Sequence, residues 1–369
     1  MSMRQQDFAA FLRSLEGATV AIVYSYSNRV DPSLAWYDRW RSDVVFFFGQ
    51  GVEKLGADAR YLDVEQYLTV QNRRDETPGD YIINLHSGLN DIGCWPIISA
   101  LARWRQVPVA PCSSDVHIIG ERKDISNLLA AAAGLKVPEK FDHQSKADRK
   151  FVRKPRDLGM SRGLQVALRA DLNPEDFGTD IVQTFIEGFD ATVVVIRLPN
   201  GDYSVIGAQL LTPNNRHDTH WVYSEAMKVS DEQGNADHSR APIEVSPDLE
   251  RAISALCEKI GDSAYYRLDF RVAPSGNAPL RMLTLQNAYF LEANPTPTIA
   301  ADGEFNATMA AWISRNGHLD AMDAESADRL GKLGPNGMLV ALSLFSAESS
   351  LRSTASAIGQ TQVHPKSQT

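Results

Sequence analysis

The 369-residue sequence has few cysteines, no long hydrophobic run and no excess of basic charge. Its three cysteines, Cys94, Cys112 and Cys257, are widely separated, so neither a disulfide framework nor a cysteine-ligated metal cluster is indicated. The formal net charge of -9 argues against a nucleic-acid partner, because binding to nucleic acid requires a basic protein surface. The sequence contains no Walker A motif, so a P-loop nucleotide site is not indicated either.

No stretch reaches the length of a membrane-spanning helix, and the first 17 residues alternate charged with apolar side chains, unlike a signal peptide. We therefore expect no membrane partner and a cytoplasmic location. What is present is typical of a globular protein: 43% of residues are hydrophobic and 22% are charged. A chain of this length exceeds one ordinary core, so two or three packed units are expected.

Strand and helix patterns alternate from residue 1 to about 115, where "TVAIVYSY" (19–26) and "DYIINLHSG" (80–88) are two of the strands. This alternation predicts an α/β domain with a parallel sheet. A mostly helical stretch follows over 114–138. Beyond it, strand candidates are joined by Gly, Pro and Asn turns, which predicts an antiparallel α+β region.

Two late strand candidates, "YRLDFRV" (266–272) and "FLEANPTPT" (290–298), carry polar side chains at alternate positions. Because side chains alternate along a strand, Asp269 shares a face with Arg267, and Glu292 shares a face with Asn294. If the strands pair, the faces coincide and supply the oxygen ligands that suit Mg²⁺.

Pro295 and Pro297 end the second strand, so the region of Asn294 is expected to face a cavity. An alternative interpretation stays open at this point. The two carboxylates could instead be partners of Arg267 and Arg271 in a structural salt-bridge network.

A phosphate site is suggested by "FVRKPRDLGMSRG" (151–163), which places Lys154 at a strand end. Ser161 and Gly163 lie in the glycine-rich turn that follows, whose backbone N–H groups could cover a polyphosphate. Lys123 and Lys228 are further candidates to contact phosphate. Each lysine alone is a weak signal, because most lysines are solvated surface residues.

A nucleoside site is suggested by "IVQTFIEGFD" (181–190). It supplies Gln183, then an apolar connection through Phe185 and Ile186, and then Asp190. An adenine could hydrogen-bond to this connection while Asp190 binds the ribose hydroxyls.

In order along residues 84–306, "NLHSG", "VRKPRDLGMSRG", "QTFIEGFDATV", "YSEAMK", "RLDF" and "LEANPTP" resemble the ATP-grasp superfamily, and most of all the D-alanine–D-alanine ligases. The resemblance implies an ATP-grasp fold preceded by an N-terminal Rossmann-like α/β domain. The implied units are an N-terminal substrate domain (1–115), a central subdomain with a phosphate lid (116–190), a catalytic and metal-binding subdomain (191–318), a helical segment (319–352) and a disordered tail (353–369). The polar composition of the tail also predicts disorder.

The resemblance implies ATP and two Mg²⁺ ions as cofactors, with Mn²⁺ as the alternative metal. Lys123, Lys154 and Lys228 would contact the phosphates, and the loop of Ser161 and Gly163 would act as the lid. The nucleoside contacts would be those of Gln183, Phe185, Ile186 and Asp190, the metal ligands Asp269, Glu292 and Asn294, and the catalytic residues Arg267, Lys228 and Ser161.

The activity implied is that of an ATP-dependent ligase that joins a carboxylic acid to an amine through an acyl phosphate. The cell-wall ligases have a Gly-Gly turn and a Glu that binds the ammonium group of the first substrate, whereas this chain has "YSYSNRVDPS" (24–33) there. "IAADGEF" (299–305) likewise replaces the glycine and serine that receive the second D-alanine. We therefore expect other amino acids or amino-acid-like substrates, in specialised metabolism.

Arg29 and His86 are the candidate substrate residues of the first domain. A surface cation and a hydrogen-bonded strand-end histidine are equally good interpretations of these two. The resemblance also implies a homodimer. Three alternative functions stay open: a D-alanine–D-alanine ligase proper, a non-catalytic ATP-binding regulatory protein of the same fold, and ATP-dependent phosphorylation without amide formation.

Overall fold

The computed structural model describes residues 3–25, 42–73, 76–86, 95–159, 161–214, 218–224, 227, 237–274, 280–299, 303–316 and 324–361. Within these ranges, none of the helices combines the length and the apolar character needed to cross a bilayer. Helices and strands are both abundant, as expected from the alternating sequence patterns.

The N-terminal part of the described chain contains a four-stranded parallel sheet in the order β2-β1-β3-β4. Its strands are β1 (Thr19–Tyr24), β2 (Asp58–Asp63), β3 (Tyr81–Leu85) and β4 (Val109–Ala110). The helices are α1 (Met3–Ser14), α2 (Ser42–Lys54), α3 (Val64–Gln71) and α4 (Ile97–Trp104). Every residue of β3 is buried, as is usual for a parallel strand covered on both faces. The predicted parallel sheet is therefore confirmed.

The helical stretch predicted over 114–138 consists of two helices, α5 (Ser114–Glu121) and α6 (Lys123–Ala132). The break lies at Arg122, whose ψ of 96° is extended. Helix α5 packs against a later strand, where a side chain at Gly120 would lie 2.7 Å from Cδ of Pro295. The break allows Glu121 to end one helix and Lys123 to begin the next.

The antiparallel part consists of two sheets. The smaller has the order β6-β5-β7, with β5 (Lys150–Lys154), β6 (Gln165–Leu168) and β7 (Ile181–Thr184). The larger has the order β12-β10-β9-β8-β11-β13 and consists of β8 (Phe189–Arg197), β9 (Tyr203–Pro213), β10 (His238–Val245), β11 (Tyr265–Val272), β12 (Met282–Leu283) and β13 (Ala288–Asn294). The α+β prediction for this half is confirmed.

Helix α7 (Pro247–Ile260) connects β10 to β11. Ser246 caps its N-terminus, because the Ser246 hydroxyl accepts a hydrogen bond from the N–H of Leu249, and Gly261 follows its last residue. The helix packs Ile253 and Leu256 against Phe270 and Phe290 of the six-stranded sheet. These contacts form the core on one face of that sheet.

Helices α8 (Glu304–Asn316) and α9 (Ala324–Thr361) cover the other face of the six-stranded sheet and one face of the N-terminal sheet. Helix α9 is interrupted at Gly334 and rests on α2, where Lys54 donates a 2.7 Å hydrogen bond to Oδ1 of Asn336. It continues to Thr361 and so includes residues 353–361 of the tail that is predicted to be disordered; residues 362–369 lie outside the described chain.

Candidate active site

Strands β11 and β13 pair as the alternating polar pattern predicted. Arg267 lies opposite Asn294, and Asp269 lies opposite Glu292. The register shifts immediately after Asp269, and the chain beyond Asn294 contains Pro295. The pairing brings four polar side chains, two of them acidic, to the end of one pair of strands.

Asp269 is held from three sides. Arg267 donates to both of its carboxylate oxygens, at 3.2 and 3.0 Å, while Thr192 and Asn294 each donate at 3.1 Å. Although burial alone would lower the pKa of Arg267, the pKa is raised by Asp269, Glu304 and Glu292. The Arg267 guanidinium therefore stays charged beside the Asp269 carboxylate. This pair agrees with the alternative interpretation, in which Asp269 is a salt-bridge partner of Arg267.

Glu292 has a different partner. Lys123 Nζ lies 3.2 Å from its Oε2 and also donates 2.8 Å to the carbonyl of Leu158. Lys154 is also buried, and burial lowers its pKa to about 8, with Lys123 adding to that effect and Glu292 opposing it. The two buried lysines and the partly exposed Glu292 thus form one electrostatic group.

Glu121, the last residue of α5, is an acidic residue of this site that sequence reasoning missed. Burial raises the pKa of its carboxyl to about 8; Lys123 and Arg267 oppose this rise, while Glu292 and Asp269 add to it. The motif "GERKD" contains the residue, but only its lysine was singled out. The signal was a carboxylate two residues from Lys123, and helix packing rather than local sequence brings it to the site.

A cleft with about 800 Å³ of empty space, part of it open to solvent, lies between the two antiparallel sheets. Most of the residues predicted to contact nucleotide line it, namely Lys123, Lys154, Ser161, Gln183, Phe185, Ile186 and Asp190. Glu292 lines it too, so the cleft reaches the pair of strands β11 and β13. Residues separated by more than a hundred positions in sequence therefore converge on one concave surface.

Arg271, which sequence reasoning considered only as a salt-bridge partner, is buried at the nucleoside end of this cleft. It pairs with Asp190 at 2.8 Å and donates 2.9 Å to the carbonyl of Ile186. Its guanidinium carbon lies 5.4 Å from the centre of the Phe185 ring, within cation–π range. Arg271 thus contacts three of the four residues predicted to bind the nucleoside.

The backbone beside this site is closely packed at Gly188. Its φ is +147°, and a side chain there would lie 1.9 Å from the carbonyl oxygen of Val272. Only glycine fits, because the connection between β7 and β8 passes directly over the end of β11.

Gln183 is buried, and its side-chain amide donates to Asn127 at 3.3 Å and to the carbonyl of Pro138 at 3.2 Å. Its side-chain N–H groups are therefore used inside the protein. An adenine contact by these groups, as the sequence suggested, would require them to exchange partners.

The glycine-rich turn contacts the segment 218–224. The hydroxyl of Ser161 donates 3.0 Å to the carbonyl of Tyr223, and both Ser161 and Gly163 have positive φ, 58° and 68°. Trp221 is buried, and its ring stacks on that of Tyr223 with 5.9 Å between the ring centres. Lys228 lies outside the described residues.

His86, the candidate substrate residue after β3, is buried, and Ser25 Oγ lies 2.7 Å from its Nδ1. Its backbone N–H donates 2.9 Å to Asn84. This geometry agrees with the strand-end interpretation as well as with a substrate role. Arg29 lies outside the described residues.

No protein-family model matches the sequence, and no curated protein matches it. Solved structures do match. The VanG D-Ala:D-Ser ligase of Enterococcus faecalis superimposes with a TM-score of 0.54 at 14% identity, over 80% of this chain and 94% of that one. A D-alanine–D-alanine ligase of Bacillus anthracis complexed with ATP gives 0.54 at 13% identity, over 86% and 99%. The D-alanyl-alanine synthetase A of Vibrio cholerae gives 0.58 at 12% identity, over 83% and 95%.

The fold is that of the ATP-grasp ligases. The likeness covers 94–99% of the length of these ligases and 80–86% of this chain. It confirms the fold resemblance stated from the motifs.

The donor set on strands β11 and β13 fits Mg²⁺. Carboxylate and amide oxygens from Asp269, Glu292 and Asn294 are hard ligands of the kind that Mg²⁺ takes alongside water and phosphate. Within the described ranges, no three His, Cys, Asp or Glu side chains already converge as a closed metal-binding set. The carboxylates are instead held by Arg267 and Lys123.

Proposed function

We propose that this protein is an ATP-dependent carboxylate–amine ligase that forms an amide bond through an acyl phosphate. The observation that carries the proposal is the position of Glu292. Glu292 lies opposite Asp269 in the pair of strands β11 and β13. It also lines the cleft, where it contacts Lys123. One carboxylate thus connects an expected metal site with an expected phosphate site.

In this proposal the cleft holds ATP. Lys123 and Lys154 contact the phosphates, and the loop containing Ser161 and Gly163 covers them, with Lys228 as a further phosphate contact. The nucleoside lies against Phe185 and Ile186, with Asp190 at the ribose and Gln183 behind the base. Arg271 fixes the orientation of Asp190 and of the connection through Ile186.

Asp269, Glu292 and Asn294 would hold two Mg²⁺ ions, which supply positive charge to the triphosphate when bound. A triphosphate entering the cleft competes for Lys123, because this lysine now neutralises Glu292. Exchange of Lys123 from Glu292 to a phosphate group frees the carboxylate for the metal. Metal and nucleotide therefore bind together in this account.

The chemistry is a two-step transfer. A carboxylate oxygen of the acid attacks the γ-phosphorus of ATP, ADP leaves, and an acyl phosphate forms. The nitrogen of the amine then attacks the carbonyl carbon, phosphate leaves with the oxygen that came from the acid, and the nitrogen loses a proton. Arg267 stabilises the negative charge that develops at the acyl oxygen, and the other residues act by position and charge.

The substrates are proposed to be amino acids or amino-acid-like molecules in specialised metabolism, because the cell-wall ligase residues are replaced in "YSYSNRVDPS" and "IAADGEF". The N-terminal sheet, proposed as a Rossmann-like domain, would supply the acid site through His86 and Arg29. A homodimer is proposed as the assembly.

The test is a mass-spectrometric screen of acid and amine pairs incubated with protein, ATP and Mg²⁺. A condensation product that requires all components, formed with an equal amount of ADP, supports the proposal. ADP and an acyl phosphate without an amide would favour phosphorylation alone. Nucleotide binding without turnover with any pair would favour the regulatory protein of the same fold.

A further inference from the structure

The carboxyl ends of β1 and β3 lie side by side in the N-terminal sheet, and we call the place where they meet the β1–β3 crevice. The chain passes from β1 to β2 on one side and returns to β3 on the other, so the strand order reverses between β1 and β3. Ligands of open α/β sheets bind at such a reversal, beyond the carboxyl ends of the strands. Ser25 follows β1 and His86 follows β3, and their contact at 2.7 Å spans this crevice.

His117 of α5 lies on the far side of the crevice, toward the catalytic strands. It is fully buried, and its Nε2 lies 3.2 Å from Oγ1 of Thr296, two residues after Asn294. Its electrostatic interaction with His86 places the two imidazoles near each other. Glu121 follows one helical turn later on the same side of α5 and interacts with Glu292.

Two nitrogen atoms in this group have no hydrogen-bond partner among the described residues. They are Nδ1 of His117 and Nε1 of Trp95, both buried. The Trp95 ring centre lies 6.0 Å from that of His117. Buried polar atoms are rarely left without a partner, since this costs about 1–3 kcal/mol each. These two, on adjacent rings, leave hydrogen-bonding capacity that a polar group of another molecule could use.

Thr296, which contacts His117, is a hydroxyl, and burial lowers the pKa of His117 to about 3, with His86 adding to the effect, so its imidazole is neutral. The carboxyl of Glu121, one turn along α5, already interacts with the cations Lys123 and Arg267. An ammonium group placed here would lose its hydration without gaining a carboxylate partner from these residues. A hydroxyl suits them, because its oxygen can accept from Trp95 while its hydrogen is donated to His117.

We infer that His117 and Trp95 complete the binding pocket for the acid substrate, and that this acid carries a hydroxyl group where the cell-wall substrates carry an ammonium group. The inference rests on the proposed function, because it names the acid of that reaction. It assigns both residues to substrate binding and specificity rather than to catalysis. The pocket extends from the β1–β3 crevice to Thr296, beside the catalytic strands.

The test compares acids of one carbon skeleton: the α-, β- and γ-hydroxy acids, the α-amino acid and the unsubstituted acid. ADP release is measured with ATP, Mg²⁺ and hydroxylamine as the amine, so no natural amine needs to be known. One hydroxy acid is expected to exceed both other classes in kcat/KM by at least about tenfold, since a site that hydrogen-bonds a hydroxyl discriminates against analogues without it.

Trp95→Phe removes the indole N–H and keeps a ring. It is expected to lower the ratio of kcat/KM for the hydroxy acid to kcat/KM for the unsubstituted acid to about one. Trp104→Phe is the matched control, because Trp104 is 77% exposed on α4. The ratio of kcat/KM for the hydroxy acid to that for the unsubstituted acid is expected to be the same in Trp104→Phe as in the wild type. Calorimetric titration of wild-type protein and a non-hydrolysable ATP analogue with the same acids provides a second measurement that does not depend on variant folding.

The outcomes separate the inference from the proposed function. An equal ratio in Trp95→Phe and wild type would mean that the two nitrogens hold a structural water, and would overturn the inference. Use of amino acids without hydroxy acids would also overturn it while leaving the ligase activity standing. If none of the acids supports ADP release, both the inference and the proposed ligase function are contradicted. Tighter calorimetric binding of the hydroxy acid than of the unsubstituted acid supports the inference.

Discussion

Asp269 and Glu292 lie directly opposite each other on adjacent antiparallel strands, yet a different cation holds each carboxylate. Arg267 takes both oxygens of Asp269, and Lys123 lies 3.2 Å from Glu292. Opposed carboxylates on one sheet face repel each other unless a positive charge lies nearby. The two cations therefore offset the repulsion between the opposed carboxylates.

Mg²⁺ is expected to bind weakly to the free protein and more tightly in the presence of nucleotide. The reason is that Lys123 occupies Glu292 until a triphosphate attracts it away. Calorimetric titration with Mg²⁺, with and without a non-hydrolysable ATP analogue, should show at least about a tenfold difference in Kd, or 1.4 kcal/mol. Equal affinity in both titrations would contradict the exchange of Lys123.

Asp269→Asn is expected to lower kcat by at least about 100-fold with little change in melting temperature, because it removes a charged metal ligand but keeps the side-chain shape. Asp180→Asn is the matched control. Asp180 pairs with Arg153 at 2.7 Å and is 21% exposed, the same as Asp269, but belongs to another sheet. If both variants lose equal activity, the effect of Asp269 comes from its arginine pair and not from metal binding.

Arg271→Met is expected to raise KM for ATP and to destabilise the fold by about 3 kcal/mol, since it leaves Asp190 and the carbonyls of Ile186 and Trp221 without their buried donor. Urea denaturation and ATP titration of the rate check the two effects. Arg251→Met controls for loss of an arginine, because Arg251 pairs with Asp248 on the exposed face of α7. A normal KM for ATP in Arg271→Met would remove Arg271 from the nucleotide site.

His117 is expected to make stability depend on pH. Its folded pKa of about 3 lies below the unfolded value of about 6.5, so its contribution is present above pH 6.5 and is lost as the pH falls. Between pH 7 and pH 5 this amounts to about 2 kcal/mol of unfolding free energy.

Other titrating groups face His117, namely His86 across the crevice and Glu121 on the same helix. Glu121 acts with the opposite sign, because its folded pKa is raised and acidification favours the folded state. The difference between wild type and His117→Gln isolates His117. Parallel curves of unfolding free energy against pH for the two proteins would show that His117 is not buried neutral.

The sequence was sufficient to predict the parts of the candidate site that are formed by short motifs in or beside strands. Alternation along "YRLDF" and "LEAN" predicts which side chains share a face, and the pairing then follows from the turn between the strands. The glycine-rich turn and the connection through Phe185 lie in the cleft for the same reason: each position is fixed by the strand beside it.

Local sequence patterns do not predict that four further residues lie at the site, namely Glu121, Arg271, His117 and Trp95. Each reaches the site through packing between elements distant in sequence, such as α5 on β13 at Gly120. A buried arginine looks in sequence like any strand arginine, and an unpartnered imidazole nitrogen has no sequence signature.

The central claim is that an oxygen of the acid becomes part of the released phosphate. An acid labelled with ¹⁸O in its carboxylate, incubated with protein, ATP, Mg²⁺ and an amine, tests this most directly by mass spectrometry of the phosphate. The account predicts one ¹⁸O atom in each phosphate released. Phosphate without the label, formed in step with amide or ADP, would contradict the acyl phosphate and with it the proposed ligase.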